Sequence, residues 1–193
     1  VKDLIQPQTF SMQKLFRPML AKSYNNPEEG LETLKDGKHI TFPCYIQPKL
    51  DGIRCTVLNG DGNLIPYSRQ GKEFLAINHI LNHLPIDIGR NIIDGELYLH
   101  ENKDNFQDIV SAVKRDKPND LSEKVEYHIY DVCDRDNLST DYKDRFNWLM
   151  SNIPESDFIK IIPNYTVGTP AKLRARYDEF IALGYEGAIV RNK

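Results

Sequence analysis

Cysteine is scarce: Cys44, Cys55 and Cys133 are the only three among 193 residues. Their odd number and wide spacing exclude a disulfide framework and a Cys-x-x-Cys metal knuckle, and a reducing compartment is the simplest setting. Long apolar runs are missing as well, so the sequence offers no membrane span. The opening residues, VKDLIQPQTFSM, carry no apolar stretch of the signal-peptide kind, and the valine at position 1 points to a trimmed start. Neither sign of charge dominates, since 25 Lys+Arg stand against 28 Asp+Glu for a formal −3. This excludes a protein that is basic all over, but not a local basic track. Five histidines, His39, His79, His83, His100 and His128, show no metal-ligand spacing with cysteine.

What is present is ordinary for a globular chain: 40% hydrophobic and 27% charged residues, over a length suited to one large domain or two small ones. Phe42–Leu50 and Ile53–Leu58 read as strands around Asp51-Gly52, a hairpin signal. The Asn59–Asn63 run is a second turn, leading into Leu64–Tyr67. Ile77, Ile80, Leu81 and Leu84 recur at helical spacing, as do Phe106, Ile109, Val110 and Val113, and then Tyr142, Phe146, Leu149 and Met150. Asn91–Leu99, Val125–Val132 and Phe158–Val167 read as strands. The last helix has Thr169 to cap it, Pro170 in its first turn, Gly184 to end it and Leu173, Tyr177, Phe180 and Ile181 as its buried stripe, before a strand Gly187–Val190. The expected fold class is α+β, around mostly antiparallel sheet flanked by helices.

Chemistry enters at Lys49-Leu50-Asp51-Gly52-Ile53-Arg54. A charged turn is its plain meaning, yet chance gives this Lys-x-Asp-Gly-x-Arg pattern only about 3 times in 1,000 such chains. A lysine at a strand end beside a tight turn is exposed to a ligand but held firmly. It becomes a nucleophile when desolvation or nearby cations lower its pKa, and Arg54 is such a cation.

Further motifs follow in order: Ser68-Arg69-Gln70-Gly71, Asp94-Gly95-Glu96-Leu97, Tyr127-His128-Ile129-Tyr130-Asp131 and Glu186-Gly187-Ala188-Ile189-Val190-Arg191, with Arg17-Pro18-Met19-Leu20-Ala21-Lys22 before them. Together with the Lys49 motif they span nearly the whole chain. In this order the sequence resembles the adenylation domain of ATP-dependent DNA ligases, in the covalent nucleotidyltransferase superfamily that includes RNA ligases and mRNA capping enzymes. The resemblance implies the ATP-grasp-like nucleotidyltransferase fold over residues 1–193. Relatives run on to a motif with two lysines and then to an OB-fold domain. After Arg191 only Asn192 and Lys193 remain, so the expectation is a domain truncated before the last family motifs, with the C-terminal OB-fold domain absent from this chain.

Carried over by residue, the resemblance makes Lys49 the nucleophile that takes AMP from ATP, with Asp51 bracing its turn. Gln47 is the polar adenine reader, flanked by Pro48 and Leu50 in the nucleotide site. Tyr130 stacks on the base. Arg54 holds the ribose, and Arg69 reaches the ribose or the 5′-phosphate at a nick. Glu96 and Glu186 stand near the ribose and a Mg²⁺ ion, for which Mn²⁺ can substitute, since such an ion takes one or two carboxylates plus phosphate oxygens. The implied partner is nicked double-stranded DNA, bound by a monomer. Lys14, Arg17 and Lys22 are DNA-contact candidates. The implied setting is intracellular: cytoplasm, nucleus or, for a virus-encoded protein, the host cell. Two alternatives are RNA ligation or cap guanylyl transfer, which share the Lys49 motif, and a non-catalytic nucleotide- or nucleic-acid-binding module. The Arg-Pro-Met-Leu-Ala and Asp-Gly-Glu-Leu segments favour the DNA ligase.

Overall fold

The structure, a computed structural model, describes residues 20–21, 40–100 and 106–192. Lys14, Arg17, Lys22 and His39 lie outside the described residues. In chain order the elements are β1 (Cys44–Lys49), β2 (Ile53–Gly60), β3 (Asn63–Ser68), α1 (Asn78–Leu81), β4 (Asn91–Tyr98) and α2 (Phe106–Val113). Then come β5 (Glu126–Asp134), α3 (Tyr142–Asn152), β6 (Ile159–Ile161), β7 (Tyr165–Val167), α4 (Pro170–Ala182) and β8 (Gly187–Asn192). Two sheets form. One has five strands in the order β3-β2-β4-β5-β6, and the other has three in the order β7-β1-β8. Every pairing is antiparallel except that of β5 with β6.

The two Asp-Gly pairs take different jobs. Asp61-Gly62 is the true two-residue hairpin turn: φ is 52° and 85°, the doubly left-handed combination that matches strand twist, and Gly60 pairs with Asn63 across it. Asp51-Gly52 is no hairpin, because β1 and β2 lie in different sheets. Gly52 is required for another reason. A Cβ there would collide with the Leu97 carbonyl oxygen and come within 2.7 Å of Glu96 Cγ. The chain therefore passes from one sheet to the other pressed against β4.

The Phe158–Val167 run is likewise two strands. Ile162, Pro163 and Asn164 separate β6, in the large sheet, from β7, in the small one. Helix α1 is a single turn, shorter than its apolar spacing suggests. Helix α4 follows its sequence closely: Thr169 Oγ1 accepts from the Lys172 N–H at 3.3 Å and Pro170 opens the first turn. Its stripe is narrower than expected, with Leu173 and Phe180 buried but Ile181 exposed; Met150 of α3 is exposed too.

The main core fills the space between the large sheet and α1, α2 and α3, and includes Ile80, Ala112, Val113, Ile129 and Leu149. Tyr127, wholly buried, keeps its hydroxyl satisfied against the carbonyls of Cys55 (3.0 Å) and Ile93 (3.2 Å). A smaller core of Ile40, Cys44, Ile46, Val167, Leu173 and Phe180 joins the small sheet to α4. Among the described residues no helix is long and apolar enough to cross a membrane.

Candidate active site

Lys49 ends β1, and the β1–β8 ladder sets it opposite Gly187. Glu186 precedes β8, and its N–H donates to the Lys49 carbonyl at 3.0 Å, extending the ladder by one rung. Their side chains form an ion pair, Lys49 Nζ donating to the Glu186 carboxylate, with the two side chains 42% and 44% exposed. A pair so open to water contributes at most about 1 kcal/mol, so the amine is readily exchanged onto another anion.

The large sheet supplies the opposite wall. In the β2–β4 register Arg54 faces Glu96, while its guanidinium reaches Asp94 with Nε at 2.9 Å and Nη2 at 2.5 Å. The Tyr130 hydroxyl donates to the same Asp94 carboxylate at 3.2 Å, and the Arg54 guanidinium carbon lies 5.9 Å from the Tyr130 ring centre. Burial pushes the Asp94 carboxyl up, and the two Arg54 bonds pull against it. Glu96 is pushed up to about 8, first by burial and then by Asp94 and Glu186, with Lys49 and Arg54 opposing. These mutual influences mark Lys49, Glu96, Glu186 and Arg54 as one electrostatic cluster, drawn from both sheets.

A bulge aims the ring. Strand β5 pairs Asp131 with Asp94 and Ile129 with Gly95, so Tyr130 is the extra residue between two consecutive rungs of β4. The core-facing residues Tyr127, Ile129 and Val132 show the change of phase, with spacings of two and then three. Tyr130 and Asp131, adjacent in sequence, thus both face the site, where regular alternation would send one into the core.

The site opens into a cavity of about 830 Å³ between the two sheets. Gln47, Pro48, Lys49 and Leu50 line it from the small-sheet side, and Arg54, Arg69, Glu96 and Tyr130 from the large-sheet side. Glu186 joins through its pair with Lys49. Asp51, by contrast, is exposed in the inter-sheet link and is not part of the cavity wall. Gln47 is buried, and its Nε2 donates to the Ile162 carbonyl at 3.3 Å. Among the described residues no donor reaches Gln47 Oε1, which leaves a buried acceptor at the cavity wall.

Residues 18–193 match the family model described as the ATP dependent DNA ligase domain. The chain belongs to that family. A DNA ligase of African swine fever virus (isolate Tick/South Africa/Pretoriuskop Pr4/1996) is 32% identical over 186 residues, covering 91% of this chain and 41% of the viral protein. A probable DNA ligase of Dictyoglomus thermophilum is 25% identical over 190 residues, covering 91% of this chain and 31% of that protein. This member of the DNA ligase domain family thus spans well under half the length of those relatives. Among solved structures, the Chlorella virus DNA ligase-adenylate is similar in fold at a TM-score of 0.64 and 24% identity, over 92% of this chain and 60% of that one. The bacteriophage T7 ATP-dependent DNA ligase, in complex with ATP, matches at 0.55 and 18% identity, over 79% of this chain and 50% of that one.

Reading the sequence of this ligase-family domain missed the polar residues that brace the site. Asp94 stands inside the Asp94–Leu97 motif, which by itself assigns it no role, although it holds both Arg54 and Tyr130. Asp131 also went without a role, and Arg145 went unnoticed. Asp131 is buried and accepts from Arg145 (2.8 and 3.1 Å) and from Arg191 (3.2 Å). A polar residue in the middle of a strand that also faces a core was the available signal.

Proposed function

We propose that this chain is the adenylating part of an ATP-dependent DNA ligase. In the first step the neutral amine of Lys49 attacks the α-phosphorus of ATP. The bond to the bridging oxygen of the β-phosphate breaks, pyrophosphate leaves, and the nitrogen sheds its proton to give a phosphoramidate, AMP-lysine. The 5′-phosphate at a nick in double-stranded DNA then takes the AMP, releasing the lysine. Finally the 3′-hydroxyl attacks that activated phosphate and expels AMP, sealing the strand. Positioning and charge neutralisation supply most of the acceleration in such transfers.

The observation that carries this reading is the meeting of Lys49, Glu186, Arg54, Glu96 and Tyr130, from two sheets, around one cavity. Adenine fits the wall by its chemistry, since its 6-amino group is a donor and Gln47 Oε1 is a buried acceptor in need of one. Tyr130 would stack on the base and Arg54 would hold the ribose. Arg69, exposed at the rim, would reach the ribose or the nick phosphate. A divalent ion fits too: Glu96 and Glu186 are hard oxygen donors on the two sides of Lys49's cluster, the ligand type such an ion takes. Those two would hold Mg²⁺ or Mn²⁺, which when bound neutralises phosphate charge. We infer a monomer working inside a cell, a setting that suits three free cysteines.

The test is the mass of the full-length protein after incubation with ATP and Mg²⁺, with the modified peptide sequenced. Gain of one AMP on Lys49 is the expected result, with GTP giving none. Nicked DNA and nicked RNA as acceptors then separate DNA ligation from RNA ligation. Absence of any nucleotide adduct across a Mg²⁺ and Mn²⁺ series would overturn the proposal.

A further inference from the structure

Three elements converge on the carboxylate of Asp131. Its own strand, β5, carries the bulge that turns Asp131 toward the site beside Tyr130. Helix α3 sends Arg145, which donates from Nε at 2.8 Å and from Nη2 at 3.1 Å. Strand β8, in the other sheet, sends Arg191, whose Nη1 donates at 3.2 Å. The Val132 N–H donates to the same side chain at 2.8 Å. Both guanidiniums also lie against one ring. Tyr142 is 4.7 Å from the Arg191 carbon and 5.4 Å from that of Arg145, and its hydroxyl donates to the Tyr130 carbonyl at 3.3 Å.

Geometry gives this cluster a task. The cavity is a cleft between two sheets, and polar links cross it. The Gln47–Ile162 bond is one. The Asp131–Arg191 pair is another, and it is charged; it joins the strand of Tyr130 to the strand of Ile189 and Val190, which line the facing wall. Both partners are largely withdrawn from water, with side chains 10% and 19% exposed, so their attraction is little screened. Tyr142 adds a second hold, on the backbone of Tyr130 itself.

We infer that Asp131 and Arg191, backed by Arg145 and Tyr142, form a clasp that fixes the gap between the two sheets at the nucleotide slot. They are positioning residues for the base-stacking ring, and none of them acts on the reacting phosphate. This rests on the nucleotide-site reading of the cavity. The clasp lowers the cost of binding by keeping the slot at its working width before a ligand arrives.

The experiment measures AMP transfer to Lys49 in the full-length protein as a function of ATP concentration. Arg191→Met keeps the stem and removes the charge, while Arg145 still neutralises Asp131, so the variant is expected to fold. The half-saturating ATP concentration should rise about tenfold, with the saturating rate within about twofold of the parent. Arg191→Lys should recover part of the loss. In the Asp131→Asn background, Arg191→Met should add little, because the two residues act as a pair. A purely structural role would instead lower the active fraction and leave the half-saturating concentration of the folded remainder unchanged, which would overturn the clasp. An unchanged half-saturating concentration in both Arg191 variants would do the same while the parent reading stands. A parent protein that neither binds ATP nor forms the adduct would sink the nucleotide reading and the clasp together.

Discussion

The two sheets support their functional side chains very differently. Among the described residues, the large one rests on a core of twenty buried residues and the small one on six. Charge follows the same division. Arg54 and Asp94 pair with side chains only 20% and 11% exposed, whereas Lys49 and Glu186 pair with more than two fifths of each side chain in water. A buried pair is costly to break because either partner left alone is desolvated, and an exposed one is cheap to exchange. Arg54 and Tyr130, proposed to hold the sugar and stack on the base, thus sit on the heavily packed platform, while Gln47, proposed to read the edge of the base, sits on the lighter sheet. The amine that must leave one anion for another sits on the lighter one. The division sets the stacking ring and the sugar-holding guanidinium apart from the reacting amine.

The strongest challenge to that division is removal of the amine. Lys49→Ala should abolish the AMP adduct, a loss of more than about a thousandfold, while leaving the thermal midpoint near the parent's, because the exposed pair contributes little. Lys49→Arg should fail equally, since a guanidinium stays protonated. An adduct at the parent level in either variant would remove Lys49 from the reaction.

Next comes the ring on the heavily packed side. Tyr130→Ala should weaken ATP binding by about 1–3 kcal/mol, the usual worth of a base–aromatic stack. Tyr130→Phe keeps the stack but loses the bond to Asp94, at about 1 kcal/mol. Isothermal titration of ATP onto each folded variant checks the order, and equal losses would contradict stacking.

Glu96 tests the same platform through pH. Its folded value of about 8 stands above the ordinary 4.5, so the folded ligand-free protein favours the protonated carboxyl. That contribution is complete below pH 4.5 and is lost as pH rises through 8. Glu96→Gln should therefore melt near the parent at pH 4.5 and above it at pH 9, by about 1–3 kcal/mol after allowance for partial solvent contact. The same variant should form the adduct more slowly. A parent and variant that melt together at both pH values would mean that burial there is offset. The smallest effect is dynamic: amides of β1 and β8 should exchange hydrogen faster than those of β4 and β5, as their thinner core suggests.

The legible parts of the molecule are those governed by local chemistry. Helix α4 was readable to its cap because Thr169 and Pro170 act within one turn. Lys49, Arg54, Glu96, Tyr130 and Glu186 were readable because the motifs carry them in a fixed order, and the fold does bring them together. What escaped was set at a distance. Asp51-Gly52 and Asp61-Gly62 look alike in sequence, and only the assignment of β1 and β2 to separate sheets distinguishes a crossover from a hairpin. The strand run from Phe158 to Val167 divides between the sheets for the same reason, with Pro163 as its one local hint. Arg145 had no motif to announce it, since an arginine on a helix is commonly a solvated one. Its meaning comes from Asp131, which the chain reaches only after β5 has slipped by one residue.

That slipped residue also makes fold and site separable. Removing a single amino acid between Ile129 and Val132 would let the β4–β5 ladder run without interruption and would keep Tyr127, Ile129 and the residue after them in step with the core. Such a shortened chain keeps its core in register, and losing the ring leaves the buried pairs of Asp131 intact, whereas losing Asp131 strands Arg145 and Arg191. It would offer the cleft one side chain where there are now two, so that either the ring or the carboxylate is forfeited. Length at this point, more than the identity of any residue, is what the strand devotes to the cleft, and an alignment gap of one position here would be a sharper mark of altered function than many substitutions elsewhere.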